Sequence, residues 1–143
     1  MAKKNLIVGQ SGGPTAVINS SLYGVVAEGI AHDQEIGEVY GMVNGIEGFL
    51  DNRILNFREA LPGEKLEYLK HTPGAYLGSC RYKLPESLED PIYPLLFRKF
   101  EELNIGWFFY IGGNDSMDTV SKLSRYAARI GSSIRVIGEP KTR

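Results

Sequence analysis

Twice along this chain a run of apolar residues stops at a pair of glycines and gives way to a helical pattern. Asn5 to Gly9 (NLIVG) runs into Gln10 to Thr15 (QSGGPT), after which Ile18, Leu22, Val25, Val26 and Ile30 recur at helical spacing. Trp107 to Gly113 (WFFYIGG) leads in the same way to Met117, Val120, Leu123, Ala127 and Ile130, closed by Gly131 at a C-terminal cap position. A short apolar run bounded by turn residues is the form of a strand buried on both faces of a parallel sheet. Two strand–turn–helix units of one construction therefore point to an α/β architecture.

The remaining pattern fits that class. Glu38 to Met42 (EVYGM) predicts a strand, and VNGIEGFLDN after it a short helix or structured loop. From Leu55 to Pro85 the pattern weakens, with one short helical piece at Leu66 to Lys70. TPGAYLGSCRYKLP within it has too many turn formers for a core element and reads as a functional loop or a strand edge. Ile92, Leu95, Leu96, Phe100 and Leu103 mark a helix before WFFYIGG, and Ser133 to Gly138 (SIRVIG) a final strand. The expected fold is an open, mostly parallel, Rossmann-like sheet with helices on both faces, a single domain over residues 1–143. Because GEPKTR stops directly after a core strand, where such sheets bind ligands, a truncated domain is expected.

Charge and cysteine content narrow the function. A formal net charge of -1 gives no electrostatic reason to expect nucleic acid or a membrane surface as partner, so any basic site must be local. The apolar run after MAKK is broken by Gly9 and Gln10, too early for a secretory or spanning segment, and a cytoplasmic location follows by default. Cys80 is the one cysteine, which excludes an internal disulfide and a cysteine-rich zinc site. His32 and His71 lack partners at metal-ligand spacing and read as solvated or capping residues.

Four places can carry chemistry. In QSGGPT, Gly12 and Gly13 let backbone approach a ligand, and the unpaired N–H groups at a helix start hold phosphate without a lysine; a tight turn alone is the competing explanation. Gly112 to Ser116 (GGNDS) repeats the construction, although Asn114 or Asp115 taken singly reads as a helix N-cap. Together the two turns favour a polyphosphate, because the carboxyl ends of two strands in one sheet line one edge. Arg81 offers paired N–H donors to phosphate oxygens or is simply solvated; Lys141 in EPKTR points an ammonium at the same edge or belongs to a frayed tail. Neither the P-loop pattern nor the G-x-G-x-x-G spacing is present.

Taken together these motifs resemble the phosphofructokinase family over nearly the whole chain. SGG at Ser11 to Gly13, with Ala16, Asn19 and Gly24 after it, resembles the family's first phosphate loop, and LGSCR at Leu77 to Arg81 its LGSxR element. IGGNDSMDT at Ile111 to Thr119 is similar to the GGDGS of ATP-using members and the GGDDS of pyrophosphate-using ones, and PKT at Pro140 to Thr142 to the opening of PKTIDND, with Arg143 in place of the isoleucine.

The resemblance implies roles. Gly12, Gly13, Gly112, Gly113 and Ser116 would hold donor phosphate and Arg81 the transferring oxygens, while Asn114 would stand at the Mg²⁺ position, where an amide oxygen can ligate the ion or its water. Asp115 would place a carboxylate where a nucleotide's α-phosphate should lie; like charges about 4 Å apart cost roughly 4 kcal/mol at an effective dielectric near 20, which disfavours ATP. Lys141 would stabilise the charge of the transferring group. The implied reaction is phosphoryl transfer from pyrophosphate, with Mg²⁺, to fructose 6-phosphate, by a parent enzyme that is a homo-oligomer. The chain alone is expected to bind without turnover, since the aspartates after PKT and most of the sugar site are missing from it. The alternatives are an ATP-dependent 6-phosphofructokinase and a noncatalytic phosphate-binding module.

Overall fold

The computed structural model of the chain describes residues 4–10, 16–32, 34–57 and 84–140. Its elements are β1 (Lys4–Gln10), α1 (Ala16–Ala31), β2 (Ile36–Met42), α2 (Gly45–Leu50), β3 (Ile54–Asn56), α3 (Ile92–Glu102), β4 (Ile105–Gly112), α4 (Asn114–Ile130) and β5 (Arg135–Pro140). The strands form one sheet in the order β3-β2-β1-β4-β5. β1, β2, β4 and β5 run parallel, and β3 pairs antiparallel with β2 at one edge. The mostly parallel sheet expected from the sequence is therefore present, with an antiparallel edge strand that the sequence pattern did not indicate. No helix among the described residues is long and apolar enough to cross a membrane.

The pleat of the central strands sorts side chains into two cores. Leu6 and Val8 of β1 pack with Val26 of α1, Val39 and Ile111 on one face. Ile7, Phe108 and Tyr110 turn to the other, where they meet Ile46 and Phe49 of α2, Leu96 and Phe100 of α3, and Leu123 and Ala127 of α4. This second core is aromatic: Phe49 stacks on Phe100 at 5.2 Å and Phe100 lies 5.5 Å from Phe108. Burial of this apolar surface is what holds helices on both faces of the sheet.

Local chemistry sets the ends of the elements. α4 closes on Gly131 in the left-handed region (φ 70°), whose N–H and that of Ser132 satisfy carbonyls of the last turn. At the start of β1 the ladder registers shift, and Asn5 bridges the gap there. Its Nδ2 donates to the Leu103 carbonyl at 2.7 Å, and its Oδ1 accepts from the Glu38 N–H at 2.8 Å. α3 departs from the sequence expectation in phase: its buried stripe is Tyr93, Leu96, Phe97 and Phe100, while Leu95 is 42% exposed and Leu103 lies past the helix end.

Residues 84–86 enter α3 through a polar clamp. Lys122 of α4, 1% exposed, reaches the Leu84 carbonyl at 2.9 Å, Asp118 at 2.8 Å and Glu86 at 3.1 Å. Tyr93 donates its hydroxyl to the Pro85 carbonyl. The hydrogen bond to Asp118 raises the Lys122 pKa above its ordinary 10.5 against the opposing effect of burial, and burial raises that of Tyr93 above its ordinary 10.0. Both groups thus hold their protons more tightly folded than unfolded. Their contribution is fully present below those ordinary values and is lost as pH rises through the higher folded ones. Urea midpoints measured from about pH 8 to about pH 11 should be flat, as far as these two groups go, until about pH 10 and then fall; Tyr93→Phe should make the fall shallower.

Candidate functional site

The parallel registers bring the carboxyl ends of three strands to one edge of the sheet. Gln10, the last residue of β1, lies opposite Ile111 of β4, and Gly112 at the end of β4 lies opposite Pro140 at the end of β5. The described ends of β1, β4 and β5, at Gln10, Gly112 and Pro140, therefore lie on three adjacent strands at the same carboxyl edge. With neighbouring strands about 4.8 Å apart, the three departure points fall within roughly 10 Å. This edge is also the topological switch point. The chain runs from β1 outward to β2 and β3, then returns to the other side of β1 as β4, with α1 and α4 on opposite faces. A crevice opens at such a point, and ligands of open α/β sheets bind there.

Of the sequence candidates, Gly12, Gly13, Arg81 and Lys141 lie outside the described residues. Gly112 ends β4, Gly113 is the N-cap of α4, and Asn114, Asp115 and Ser116 form its first turn. The helix begins one residue earlier than the capping explanation requires, so neither Asn114 nor Asp115 is the N-cap, and Gly113 has no side chain with which to cap. The first intrahelical bond runs from the Met117 N–H to the Gly113 carbonyl at 3.1 Å. The N–H groups of residues 114–116 thus have no partner within the helix and carry its partial positive charge.

Two features at this helix head are not accounted for by packing among the described residues. Ser116 is 1% exposed, and its Oγ has no hydrogen-bond partner among the described residues. A buried hydroxyl left unpaired costs about 1–3 kcal/mol, a cost removed when a ligand or water supplies the partner. Gly113 has a φ of -91°, which any residue adopts, and a Cβ placed on it meets nothing within 4 Å among the described residues. Neither backbone conformation nor packing calls for glycine at 113; open space against free N–H groups is what an anion approaching the backbone requires.

The donor set bears on a metal. Among the described residues no three His, Cys, Asp or Glu side chains gather as a cation cage. Mg²⁺ held on a polyphosphate needs no such cage, since it takes one or two protein oxygens and otherwise keeps phosphate and water ligands. Asn114 and Asp115, residue types that carry oxygen atoms, are the first two residues of α4. An apolar cleft of about 470 Å³ lies elsewhere, between α1 and β4, walled by Leu6, Val25, Trp107 and Phe109 with the His32–Glu28 pair (3.1 Å). Among the described residues that line it, His32 is the one that can bind an anion.

Lys122 escaped the sequence reading. Its place beside Leu123 on the apolar side of α4 and four residues after Asp118 was visible, but nothing in the sequence showed that residues 84–86 would supply its other partners.

Comparisons with known proteins agree with this geometry. Residues 5–143 match the family model described as Phosphofructokinase. The chain is 41% identical over 143 residues to the pyrophosphate–fructose 6-phosphate 1-phosphotransferase of Halomonas elongata, covering 99% of this chain and 34% of that protein. Against the crystal structure of the pyrophosphate-dependent phosphofructokinase of Nitrosospira multiformis the TM-score is 0.86 at 38% identity, over 99% of this chain and 34% of that one. Against the corresponding protein of Marinobacter aquaeolei it is 0.84 at 44% identity, over 97% and 33%. The chain spans about a third of the length of the curated relatives it matches.

Proposed function

The chain belongs to the phosphofructokinase family, and from that premise we propose that it is the donor-binding part of an enzyme that moves a phosphoryl group from pyrophosphate to fructose 6-phosphate. The observation that carries the proposal is the shared carboxyl edge: the parallel strands β1 and β4 end side by side, and β4 runs through Gly112 and Gly113 into a helix head with free N–H groups and a buried hydroxyl that has no partner among the described residues. A diphosphate is the ligand that can touch both turns at once. Relatives named for pyrophosphate chemistry support the same donor.

In this reading the residues at the edge act by position and charge, as phosphoryl transfer requires. Gly12 and Gly13 bring the first turn against one phosphate. Gly112 and Gly113 bring the first N–H groups of α4 against the diphosphate, to which the Ser116 hydroxyl donates. The guanidinium of Arg81 binds the oxygens of the transferring group, and the Lys141 ammonium meets the charge that develops on them. Asn114 would hold Mg²⁺, which neutralises charge on the phosphate oxygens when bound. Asp115 selects the smaller donor by repelling the extra phosphate of a nucleotide.

Titration calorimetry of the chain with pyrophosphate and Mg²⁺ tests the proposal. Saturable binding of pyrophosphate in preference to ATP is expected; no binding, or equal binding of ATP, overturns the donor assignment. Gly113→Ala should weaken pyrophosphate binding by about tenfold, because the added methyl occupies the ligand's approach to the backbone. Its thermal midpoint should fall only by the few degrees that alanine in place of glycine at a helix N-cap costs, since the methyl meets no described atom in the free protein.

A further inference from the structure

α1 is built for burial on more sides than the described residues cover. Its 16 residues (AVINSSLYGVVAEGIA) carry one charge, at Glu28, whereas the 17 of α4 carry five. A helix at the surface of a domain keeps a polar face for solvent; one that is apolar all round is covered by protein on every side. Yet Gly24, Glu28 and Ala31 of α1 are exposed, and Val25, Ala27 and Ile30 half-exposed.

The sheet beneath it is uncovered in the same way. α2, α3 and α4 pack on the opposite face, so α1 is the one helix on this side among the described residues. Beyond it the strip over β4 and β5 is open, and Trp107 and Phe109 stand half-exposed there, walling the apolar cleft with Gly24 and Val25. Two strands about 4.8 Å apart leave a strip as wide as one helix, about 10 Å. A Cβ on Gly24 meets nothing within 4 Å among the described residues, and glycine weakens a helix interior; what it permits is the close approach of another backbone.

Opposite charges flank the strip. Glu28 lines the cleft from α1. Arg135 of β5 lies opposite Trp107, and since its neighbour Val136 packs into the other core, Arg135 belongs to this face. It is exposed and has no ion-pair partner among the described residues.

We propose that a second copy of this chain covers the strip, the two α1 helices lying parallel and meeting across Gly24. A twofold axis along the strand direction lays α1 of each copy on the open strip of the other, an isologous contact that closes at two. That axis preserves position along the strands, so Glu28 of one copy meets the partner's Arg135. Trp107 precedes Gly112 by about five residues, roughly 16 Å of strand, so the contact leaves the carboxyl edge open and stands apart from the pyrophosphate reading.

Sedimentation equilibrium of the 143-residue chain should show a reversible monomer–dimer equilibrium. The emission of Trp107, the one tryptophan of the sequence, should shift to the blue over the same concentration range. Gly24→Leu should raise the dimer dissociation constant about a hundredfold and leave the monomer folded, since leucine suits a helix better than glycine and its Cβ meets no described atom. Glu28→Arg and Arg135→Glu should each raise it about tenfold, and the two together on one chain should restore association, a recovery that misfolding cannot give. A chain that stays monomeric up to about 1 mM, assemblies that grow beyond two, parental association in Gly24→Leu, or charge reversals that fail to rescue each other overturns the proposal. Should Gly24→Leu not fold, the charge pair decides alone. A monomer whose Trp107 already emits as a buried indole gives the strip to other residues of the same chain, and a longer parent polypeptide that does not associate through it gives it to its further residues. Either result sinks the second copy.

Discussion

Gly48→Ala is expected to destabilise the domain by about 3 kcal/mol or more and to lower its thermal midpoint by about 10 °C. A Cβ on Gly48 would stand 1.5 Å from the Val43 carbonyl oxygen, a backbone atom that has no room to retreat. Val43 donates its N–H to the Arg53 carbonyl at 2.9 Å, Asn44 between them sits in the left-handed region at φ 63°, and the Gly48 carbonyl accepts from both Asp51 and Arg53. Relief would mean opening this turn, and with it go the placement of Ile46 and Phe49 in the core and the pairing of β3 with β2. Gly24→Ala in α1 is the control. A Cβ there meets nothing within 4 Å, and helix propensity alone should add up to about 1 kcal/mol of stability. Urea denaturation of the two variants measures both, and equal stabilities would show that the turn yields easily.

The second large effect concerns donor choice. Asp115→Gly should raise the affinity for ATP by about tenfold to a hundredfold and change that for pyrophosphate far less. Asp115 is the second residue of α4, at the edge shared by β1, β4 and β5, and the proposed function gives its carboxylate the place of a nucleotide's α-phosphate. Roughly 4 kcal/mol of repulsion at 4 Å is the figure for an effective dielectric near 20; water and salt at an open crevice reduce it, and the smaller factor allows for that. Parallel titrations with ATP and pyrophosphate check the result. Unchanged ATP affinity would remove Asp115 from donor selection and leave the glycine turns as the basis of binding.

Much of this architecture was legible because the long elements obey one period each. WFFYIGG reads as a buried strand whichever neighbour it has, and Val120, Leu123 and Ala127 with Gly131 define α4 from start to cap. The parallel order followed from the alternation of such segments. β3 did not show, because three residues are too few to display a period of two and its partner is supplied by the turn at Val43 to Arg53. α3 was found, but its phase was misjudged. Leu95 looked like a core residue, whereas Tyr93 takes that place by placing its hydroxyl on the Pro85 carbonyl, a tertiary contact that no helical count contains.

The site divides in the same way. GGNDS marked the right turn, since glycines between a strand and a helix are a local feature. The cap was not local in the way the residue types suggested: aspartate and asparagine favour the N-cap, yet the helix starts a residue sooner and leaves that place to Gly113. The orphan hydroxyl of Ser116 and the threefold pairing of Lys122 depend on what packs around α4 and could not be read from its own sequence.

No contiguous stretch of polypeptide owns the edge at which the proposed function places the donor. Gln10 reaches it from more than a hundred residues before Gly112 and Pro140, and only the completed pairing of β1 with β4 and of β4 with β5 lines the three up. A nascent chain that had made β1 to β3 would carry the first glycine turn with nothing for it to face. On the proposed function, recognition of a diphosphate is in this sense a property of sheet assembly rather than of any loop. Occupancy by the diphosphate would act as a late brace on the most non-local contacts in the molecule, the ones whose formation is slowest.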